Sequence, residues 1–156
     1  MDVSQRASGQ DQRFDAFRLS ASQGEICGSL SPVQLDRLEE RLFEGDGSSG
    51  HIDWAIRGAT DEQGRPAVTV SIEAALPVEC QRCLGRLDLQ VSQSTTLLLA
   101  RDDAELVRLD DASEREVVLA SAPLDVVALV EDELLLTLPF APRHEQCGAA
   151  GAASDR

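Results

Sequence analysis

Three segments in which apolar and polar residues alternate place the strongest constraint on how this chain folds. Residues 51–57 and 68–74 both alternate, and residues 60–64 between them have the composition of a turn. A third alternating run covers residues 87–91 and continues through residues 95–99. A period of two places every second side chain on one face of a strand, so one face of each segment can contribute to a core. The sequence therefore predicts three antiparallel strands, of which the first two form a hairpin.

Two further segments have the spacing of amphipathic helices. Ser31 is a capping residue, Pro32 suits the first helical position, and leucines follow at helical spacing, which predicts a helix over residues 32–43. Residues 124–138 predict a second helix, which ends at Pro139 because proline does not continue a helix. These are the two main helices that we expect.

Shorter elements complete the predicted fold. We expect an edge strand over residues 14–19, a strand over residues 116–119, and a solvated loop or short helix over the acidic residues 101–116. Strands combined with separate helices are typical of the α+β class. We therefore predict an α+β fold with an antiparallel β-sheet of about four to six strands and two main helices.

The length of the chain, 156 residues, suits one domain. With 42% hydrophobic residues, the chain can fill a core without disulfide bonds. We expect residues 1–13 to form a flexible tail and residues 14–147 to form a single α+β domain. Residues 148–156 are rich in alanine and glycine, and we expect them to be disordered.

The composition argues against several kinds of activity. All 14 basic residues are arginine, and without lysine the chain cannot form a GK[ST] phosphate-binding loop or a lysine Schiff base. Neither G-x-S-x-G nor H-E-x-x-H occurs, so we expect no enzymatic activity. The first 15 residues lack the apolar core of a secretory signal, and no apolar run approaches the roughly 18 residues that cross a bilayer. We therefore expect a cytoplasmic protein without membrane contact.

Two cysteine and histidine pairs suggest a metal site. Cys80 and Cys83 are separated by two residues, the spacing at which both sulfur atoms reach one tetrahedral metal, and Gly85 gives the turn backbone freedom. His144 and Cys147 repeat this spacing. The four side chains suit one structural Zn²⁺, but the same residues are compatible with free or redox-labile thiols or with a disulfide, and these alternatives stay open.

Three consecutive acidic residues lie within the second predicted helix. Glu131 falls at the edge of the apolar stripe, whereas Asp132 and Glu133 fall further round the helix. A partly buried carboxylate favours a cationic partner. We therefore predict an ion pair of Glu131 with Arg82, with the neighbouring Arg86 as a second candidate. For Asp132 and Glu133 we expect a solvated acidic face.

Three stretches, in this order, resemble the bacterial YceD family: residues 78–83 (VECQRC), 124–139 (LDVVALVEDELLLTLP) and 142–147 (PRHEQC). Weaker similarity extends back to about residue 20. The resemblance implies a factor needed for the accumulation of 23S rRNA, through its synthesis, processing or stability, with no established enzymatic activity. Many members of the family carry additional cysteines after the proline-rich end, where this chain has only His144 and Cys147.

The charge of the chain bears on how such a factor would act. The formal net charge of −14 repels RNA at long range. We therefore expect an acidic adaptor that binds a basic ribosomal protein or rRNA-processing factor, with residues 101–116 and 124–138 as candidate surfaces. The alternative is a module that binds RNA directly through Arg82 and Arg86, whose binding would weaken steeply with salt.

Overall fold

A computed structural model of the chain describes residues 5–7, 13–43 and 50–138. In chain order these residues form β1 (Gln5–Ala7), β2 (Arg13–Phe14), α1 (Ala16–Ser22), β3 (Glu25–Leu30), a 3-10 turn (Pro32–Gln34), α2 (Asp36–Glu39), β4 (His51–Thr60), β5 (Pro66–Glu79), β6 (Arg86–Ala100), α3 (Asp103–Ala112), β7 (Glu116–Leu119), β8 (Leu124–Asp125) and α4 (Val126–Thr137). The fold class is α+β, as predicted. No helix in this part of the chain is long and apolar enough to span a membrane.

Six strands form one sheet in the order β1-β3-β4-β5-β6-β7. The four central strands pair antiparallel, which confirms the predicted hairpin of β4 and β5 and the third strand, β6. The edge strands β1 and β7 instead pair parallel with β3 and β6. The predicted strand over residues 116–119 is β7, and its parallel direction follows from the crossover that α3 provides. β2 and β8 form a separate antiparallel pair.

The alternation in the central strands gives the sheet one apolar face, which α2, α4 and the segment before α2 cover. The most deeply buried side chains of this core include Ile52, Trp54 and Ile56 from β4, Val68, Val70 and Ile72 from β5, Leu97 and Leu99 from β6, and Leu35, Leu38, Val130 and Leu134 from the covering segments. Burial of a side chain of this size stabilises a fold by about 1.5–3 kcal/mol. This core is therefore the main source of stability.

A smaller apolar cluster lies on the opposite face of the sheet, under α3. Its buried members are Ala67, Leu98, Ala100 and Leu109. Leu109 is the buried residue of α3, whereas the helix is otherwise exposed or half-buried. The contact holds α3 against β6 and β7 and leaves its outer side exposed to solvent.

Two of the predicted elements differ from the structure. Most of residues 14–19 lies in α1 rather than in an edge strand, because the Asp15 carboxylate caps a helix by accepting the Arg18 N–H at 3.1 Å. The predicted helix over residues 32–43 is reduced to the 3-10 turn and the four-residue α2. Between them Leu35 has an extended backbone and is fully buried, so the packing of its side chain interrupts the helix.

The other predictions are confirmed in part. The helix over residues 124–138 is α4, preceded by β8. The helices α1 and α3 show that the description of two main helices is incomplete, and β3 was not predicted. Within the predicted tail, residues 5–7 form β1, which lies beside β3. The predicted tail of residues 148–156 lies outside the described residues.

Gly58 in β4 marks the place where α1 packs on the sheet. A methyl group at this position would place its carbon 1.9 Å from the carbonyl oxygen of Leu19. The Gly58 N–H donates a hydrogen bond to the Gly24 carbonyl oxygen at 2.8 Å, and the buried Ser20 hydroxyl donates to the Ala59 carbonyl oxygen at 2.7 Å. Only glycine leaves room for the α1 backbone at this distance.

Gly58→Ala is expected to destabilise the fold by about 1–3 kcal/mol or more, because the added carbon overlaps backbone atoms. The measurement is urea unfolding followed through the fluorescence of Trp54, which is buried and is the only tryptophan. Gly85→Ala is the matched control, because its added carbon would lie 3.5 Å from Cys83 Sγ, an ordinary contact distance. Wild-type stability of Gly58→Ala would contradict the packing of α1 described above.

Candidate functional site

Glu131 of α4 caps the N-terminus of α2. Its Oε2 atom accepts hydrogen bonds from the backbone N–H groups of Arg37 at 2.6 Å and Leu38 at 3.0 Å. The residue before α2 is Leu35, whose side chain has no acceptor, so an acceptor for these N–H groups must come from elsewhere. Glu131 is 7% exposed. Its carboxylate therefore joins α4 to α2 inside the fold.

Arg37 adds a charged contact between the same two helices. Its Nε atom lies 3.4 Å from Glu131 Oε1, and its Nη2 atom lies 2.5 Å from Asp132 Oδ1. The predicted pairing of Glu131 with Arg82 is therefore wrong. Arg82 lies in the turn between β5 and β6, whereas Glu131 is directed at α2 and finds its cationic partner there.

Glu133 is buried between α4 and the sheet, so the expectation of a solvated position for this residue is wrong. Gln93 Nε2 lies 3.5 Å from Glu133 Oε1 and 3.4 Å from its carbonyl oxygen. The Thr137 hydroxyl donates to the same carbonyl oxygen at 2.8 Å and also contacts Gln93 Oε1. Asp132, by contrast, is exposed. The three acidic residues of α4 thus occupy three different environments.

The environment of Glu133 shifts its ionisation. Burial raises the pKa of Glu133 above its ordinary value of 4.5, and the negative charge of Glu116 raises it further. A hydrogen bond with Thr95 lowers the pKa by less than burial raises it. The folded protein therefore holds a proton on Glu133 more tightly than the unfolded chain does.

The turn between β5 and β6 contains the predicted pair of cysteines. The Cys80 N–H donates to the Gly85 carbonyl oxygen at 2.9 Å, and the Leu84 N–H donates to the Cys80 carbonyl oxygen at 2.8 Å. The N–H groups of Arg82 and Cys83 lie 3.4 and 3.5 Å from Cys80 Sγ. Cys80 is buried and Cys83 is exposed. The turn thus fixes one sulfur atom beside two backbone donors and presents the other to solvent.

The left-handed backbone of this turn is at Leu84, with φ of 63°, rather than at Gly85, for which the sequence predicted conformational freedom. A left-handed conformation costs a residue with a side chain about 1–2 kcal/mol. The Leu84 side chain is 62% exposed, so burial of this side chain offsets little of that cost. The conformation of Leu84 directs the following residue, Gly85, whose carbonyl oxygen accepts the Cys80 N–H at 2.9 Å.

Only half of the predicted metal site can be located. His144 and Cys147 lie outside the described residues. Within the part of the chain that the structure describes, no group of three or more His, Cys, Asp or Glu residues is placed to hold a metal ion. Zinc binding therefore stays a prediction.

The two arginines proposed for RNA binding differ in their surroundings. Arg82 is exposed in the turn. Arg86, at the start of β6, forms an ion pair with Asp88, with 2.8 Å between Nε and Oδ1. The carboxylate compensates much of the positive charge of Arg86.

The acidic segment of residues 101–116 includes α3, and acidic side chains form hydrogen bonds at the N-terminus of this helix. Asp102 Oδ1 accepts the Glu105 N–H at 2.8 Å and thereby caps the helix. Glu105 Oε1 accepts the Arg101 N–H at 2.7 Å, and Arg108 lies 3.7 Å from the same carboxylate. Part of the negative charge in this segment therefore stabilises α3.

The outer side of α3 carries acidic residues that are exposed and do not cap the helix. Asp103, Asp110 and Asp111 are exposed, and Val107 among them is 60% exposed. At 100° per residue these four positions fall within one side of the helix, which we call the α3 acidic face. Within the described part of the chain, no ion pair involves these three aspartates. The sequence pattern located this charge but did not separate the exposed residues from the capping ones.

Glu131→Gln is expected to destabilise the protein by about 0.5–2 kcal/mol, as the loss of a helix cap does, because a neutral amide is a weaker acceptor for the Arg37 and Leu38 N–H groups. Arg37→Gln is expected to destabilise it as well, and Arg82→Gln to leave it unchanged. Thermal unfolding followed by circular dichroism measures all three. A destabilised Arg82→Gln beside an unaffected Arg37→Gln would restore the pairing that the sequence predicted.

The raised pKa of Glu133 makes stability depend on pH. Because the folded-state pKa lies above the ordinary value of 4.5, the stability that this group contributes is fully present below pH 4.5. It is lost as the pH rises through the folded-state pKa. At neutral pH the ionised form of Glu133 therefore works against folding.

Glu133→Gln, which stays neutral, is expected to be more stable than the wild type at about pH 7 and to lose this advantage towards about pH 4. Urea unfolding at both pH values measures the difference. Asp132→Asn on the exposed side of the same helix is the matched control, for which no gain at neutral pH is expected. The prediction fails if wild-type protein is the more stable of the two at pH 7.

Comparison with known proteins identifies the family of this chain. Residues 68–155, more than half of the chain, match the sequence model of the family described as large ribosomal RNA subunit accumulation protein YceD. The matched region includes the turn of Cys80 and Cys83, α3, α4, and also His144 and Cys147. No solved structure matches the chain. The match agrees with the resemblance of the sequence stretches noted above, and the chain belongs to the YceD family.

Proposed function

We propose that this protein supports the accumulation of 23S rRNA as a non-enzymatic, acidic adaptor that binds a basic ribosomal or rRNA-processing protein. The family description connects the chain to the large ribosomal RNA subunit and names an accumulation protein rather than an enzyme. The main support for the adaptor role is the α3 acidic face. It combines exposed carboxylates, which form no ion pair with the other described residues, with an exposed apolar side chain on a helix that the sheet holds in place.

The overall charge supports a protein partner over RNA. The formal net charge is −14, which opposes the approach of a phosphate backbone. Seven arginines of the described residues lie within ion-pair distance of a carboxylate: Arg37, Arg57, Arg65, Arg86, Arg101, Arg108 and Arg115. Binding to RNA gains most of its free energy from uncompensated cations, and these arginines are compensated.

The α3 acidic face has the composition of a docking surface for a basic protein. Val107 provides an apolar centre, and Asp103, Asp110 and Asp111 provide a charged rim, as in many protein interfaces. Complementary charge speeds association and selects the partner. Because Leu109 anchors the opposite side of α3, a partner can bind without detaching the helix from the sheet.

The surface predicted on α4 has less to offer a partner. Glu131 and Glu133 are buried, and Asp132 pairs with Arg37. These acidic residues therefore act mainly within the fold. The adaptor proposal accordingly relies on α3 rather than on α4.

The alternative is direct RNA binding at the turn between β5 and β6. The exposed position of Arg82 favours it. The ion pair of Arg86 with Asp88 argues against it, because the carboxylate compensates much of the charge that Arg86 would offer to a phosphate. The turn and the α3 acidic face share no residue, so mutations can separate the two functions.

Binding measurements with two probes test the proposal: a set of purified basic large-subunit ribosomal proteins, and a 23S rRNA transcript. The wild-type protein is expected to bind a member of the first set and not the transcript. Asp103→Asn/Asp110→Asn/Asp111→Asn is expected to weaken this binding about tenfold or more, since it removes the charges that attract a basic surface.

A second triple variant provides the matched control. Asp36→Asn/Glu39→Gln/Glu40→Gln removes the same number of charges from exposed positions at α2, and it is expected to weaken binding much less. Equal losses in both triple variants would contradict the assignment to α3. Salt-sensitive binding of the transcript that Arg82→Gln abolishes would contradict the adaptor and favour the RNA-binding alternative.

A further inference from the structure

In the described part of the chain, no helix lies over most of one face of the sheet. The helices α1, α2 and α4 pack on one face, and α3 packs on one end of the other. The rest of that second face, which we call the open sheet face, includes Ser29, Asp53, Glu73 and Ser92. We propose that the open sheet face binds an arginine- or lysine-rich segment of a protein partner. The proposal rests on the adaptor function and adds where the basic segment of the partner lies.

The strand register shows which side chains share the face on which α3 packs. Ala67 and Leu98 contact α3, and they are opposite each other in the pairing of β5 with β6. Every second residue along a strand points to the same face, so Glu73 lies on the face of Ala67. Asp53 is the partner of Glu73 in the pairing of β4 with β5, and both side chains are exposed. The two carboxylates are therefore accessible on the open sheet face.

A row of four polar side chains crosses the open sheet face at one level. Ser29, Asp53, Glu73 and Ser92 are successive partners in the pairing of β3, β4, β5 and β6. The Ser29 hydroxyl donates to Asp53 Oδ1 at 2.7 Å, and the Ser92 hydroxyl donates to Glu73 Oε2 at 2.6 Å. Each serine therefore holds one carboxylate from an outer strand, and the two carboxylates lie side by side on the central strands.

The two central carboxylates work against folding. Asp53 and Glu73 are directly opposite each other on antiparallel strands, and like charges in such positions destabilise a sheet. The serine hydroxyls donate hydrogen bonds but carry no positive charge. Among the residues that the structure describes, no arginine forms an ion pair with either carboxylate. A cationic side chain supplied by another protein would relieve this repulsion.

The other charges on the open sheet face compensate one another. Arg57 of β4 lies 3.6 Å from a carboxylate oxygen of Glu25, and Arg86 of β6 lies 2.8 Å from one of Asp88. The negative charge of the central row therefore stays in excess. Charge complementarity speeds the association of two proteins and selects the partner, so this face favours a basic segment.

The surface between α3 and the central row consists of short side chains. The hydroxyl oxygens of Thr69 and Thr96 lie 3.1 Å apart, and those of Ser71 and Ser94 lie 3.3 Å apart. These pairs bridge β5 and β6 at successive levels of the open sheet face. Hydroxyl groups can also donate to and accept from the backbone of a bound segment.

The distance between α3 and the central row suits a short segment. Six positions separate Ala67, under α3, from Glu73, which corresponds to about 20 Å of strand. An extended segment of about six or seven residues spans the same distance. One partner can therefore contact the α3 acidic face and place a cationic side chain between Asp53 and Glu73.

Titration of the ¹⁵N-labelled full-length protein with a synthetic peptide of alternating arginine and serine, blocked at both ends, tests the proposal. The backbone amide signals of Asp53 and Glu73 are expected to shift. Asp53→Asn/Glu73→Gln is expected to weaken binding of the peptide about tenfold or more. The same variant is expected to be at least as stable as the wild type in urea, because it removes the repulsion between the two strands.

A matched double variant and a second cation serve as controls. Glu25→Gln/Asp88→Asn removes the same number of charges from the same face, at positions already paired with arginine, and it is expected to weaken binding much less. Spermidine at the concentration of the peptide is expected to leave the signals of Asp53 and Glu73 in place. Equal losses in the two double variants, a destabilised Asp53→Asn/Glu73→Gln, or equal shifts with spermidine would overturn the proposal.

The basic ribosomal proteins used above separate this proposal from the adaptor function. Weaker binding by the α3 triple variant together with unchanged binding by Asp53→Asn/Glu73→Gln would overturn the proposal for the open sheet face alone. Failure of the wild type to bind any of these proteins would overturn the adaptor function. The peptide titration then decides by itself whether the open sheet face binds a basic segment.

Discussion

The antiparallel pairing of β5 with β6 is the contact on which the other features depend. It runs without interruption from Ala67 opposite Leu98 to Glu79 opposite Arg86. A shift of this register by one residue would move the apolar side chains of β6 from the core to the opposite face. The same pairing determines which residues meet α4, which meet α3, and where the turn with its two cysteines lies.

The acidic residues of the chain serve two distinct purposes. Glu131 completes the hydrogen bonds of α2 from another helix, and Glu133 is buried against the sheet, where ionisation is unfavourable. The aspartates of the α3 acidic face are exposed, and among the residues that the structure describes none forms an ion pair with them. Charge that stabilises the fold and charge available to a partner therefore belong to different residues. The helix α3 carries both kinds, because Asp102 and Glu105 form hydrogen bonds at its N-terminus while its outer aspartates face solvent.

Local periodicity explains what could be predicted from the sequence. The spacing of apolar residues is regular enough to predict β4, β5, β6 and α4. The helix α1 instead depends on the Asp15 cap, and α2 is short because Leu35 is buried. The contacts of the candidate site were harder to predict from the sequence. The partner of Glu131 is Arg37, 94 positions away, and only tertiary packing selects Arg37 over Arg82. The pattern placed the helix start at Ser31, which has its own capping side chain, so only the structure shows that α2 starts after Leu35 and needs an acceptor from elsewhere.

The adaptor role is tested most directly in cells that lack the chromosomal copy of the gene and express variants of this chain at equal levels. The measurement is the ratio of 23S to 16S rRNA. We expect that the variant with the α3 aspartates replaced by asparagine fails to restore the ratio, while Arg82→Gln/Arg86→Gln restores it. Restoration by the α3 variant together with failure of the arginine variant would contradict the account and favour direct RNA binding.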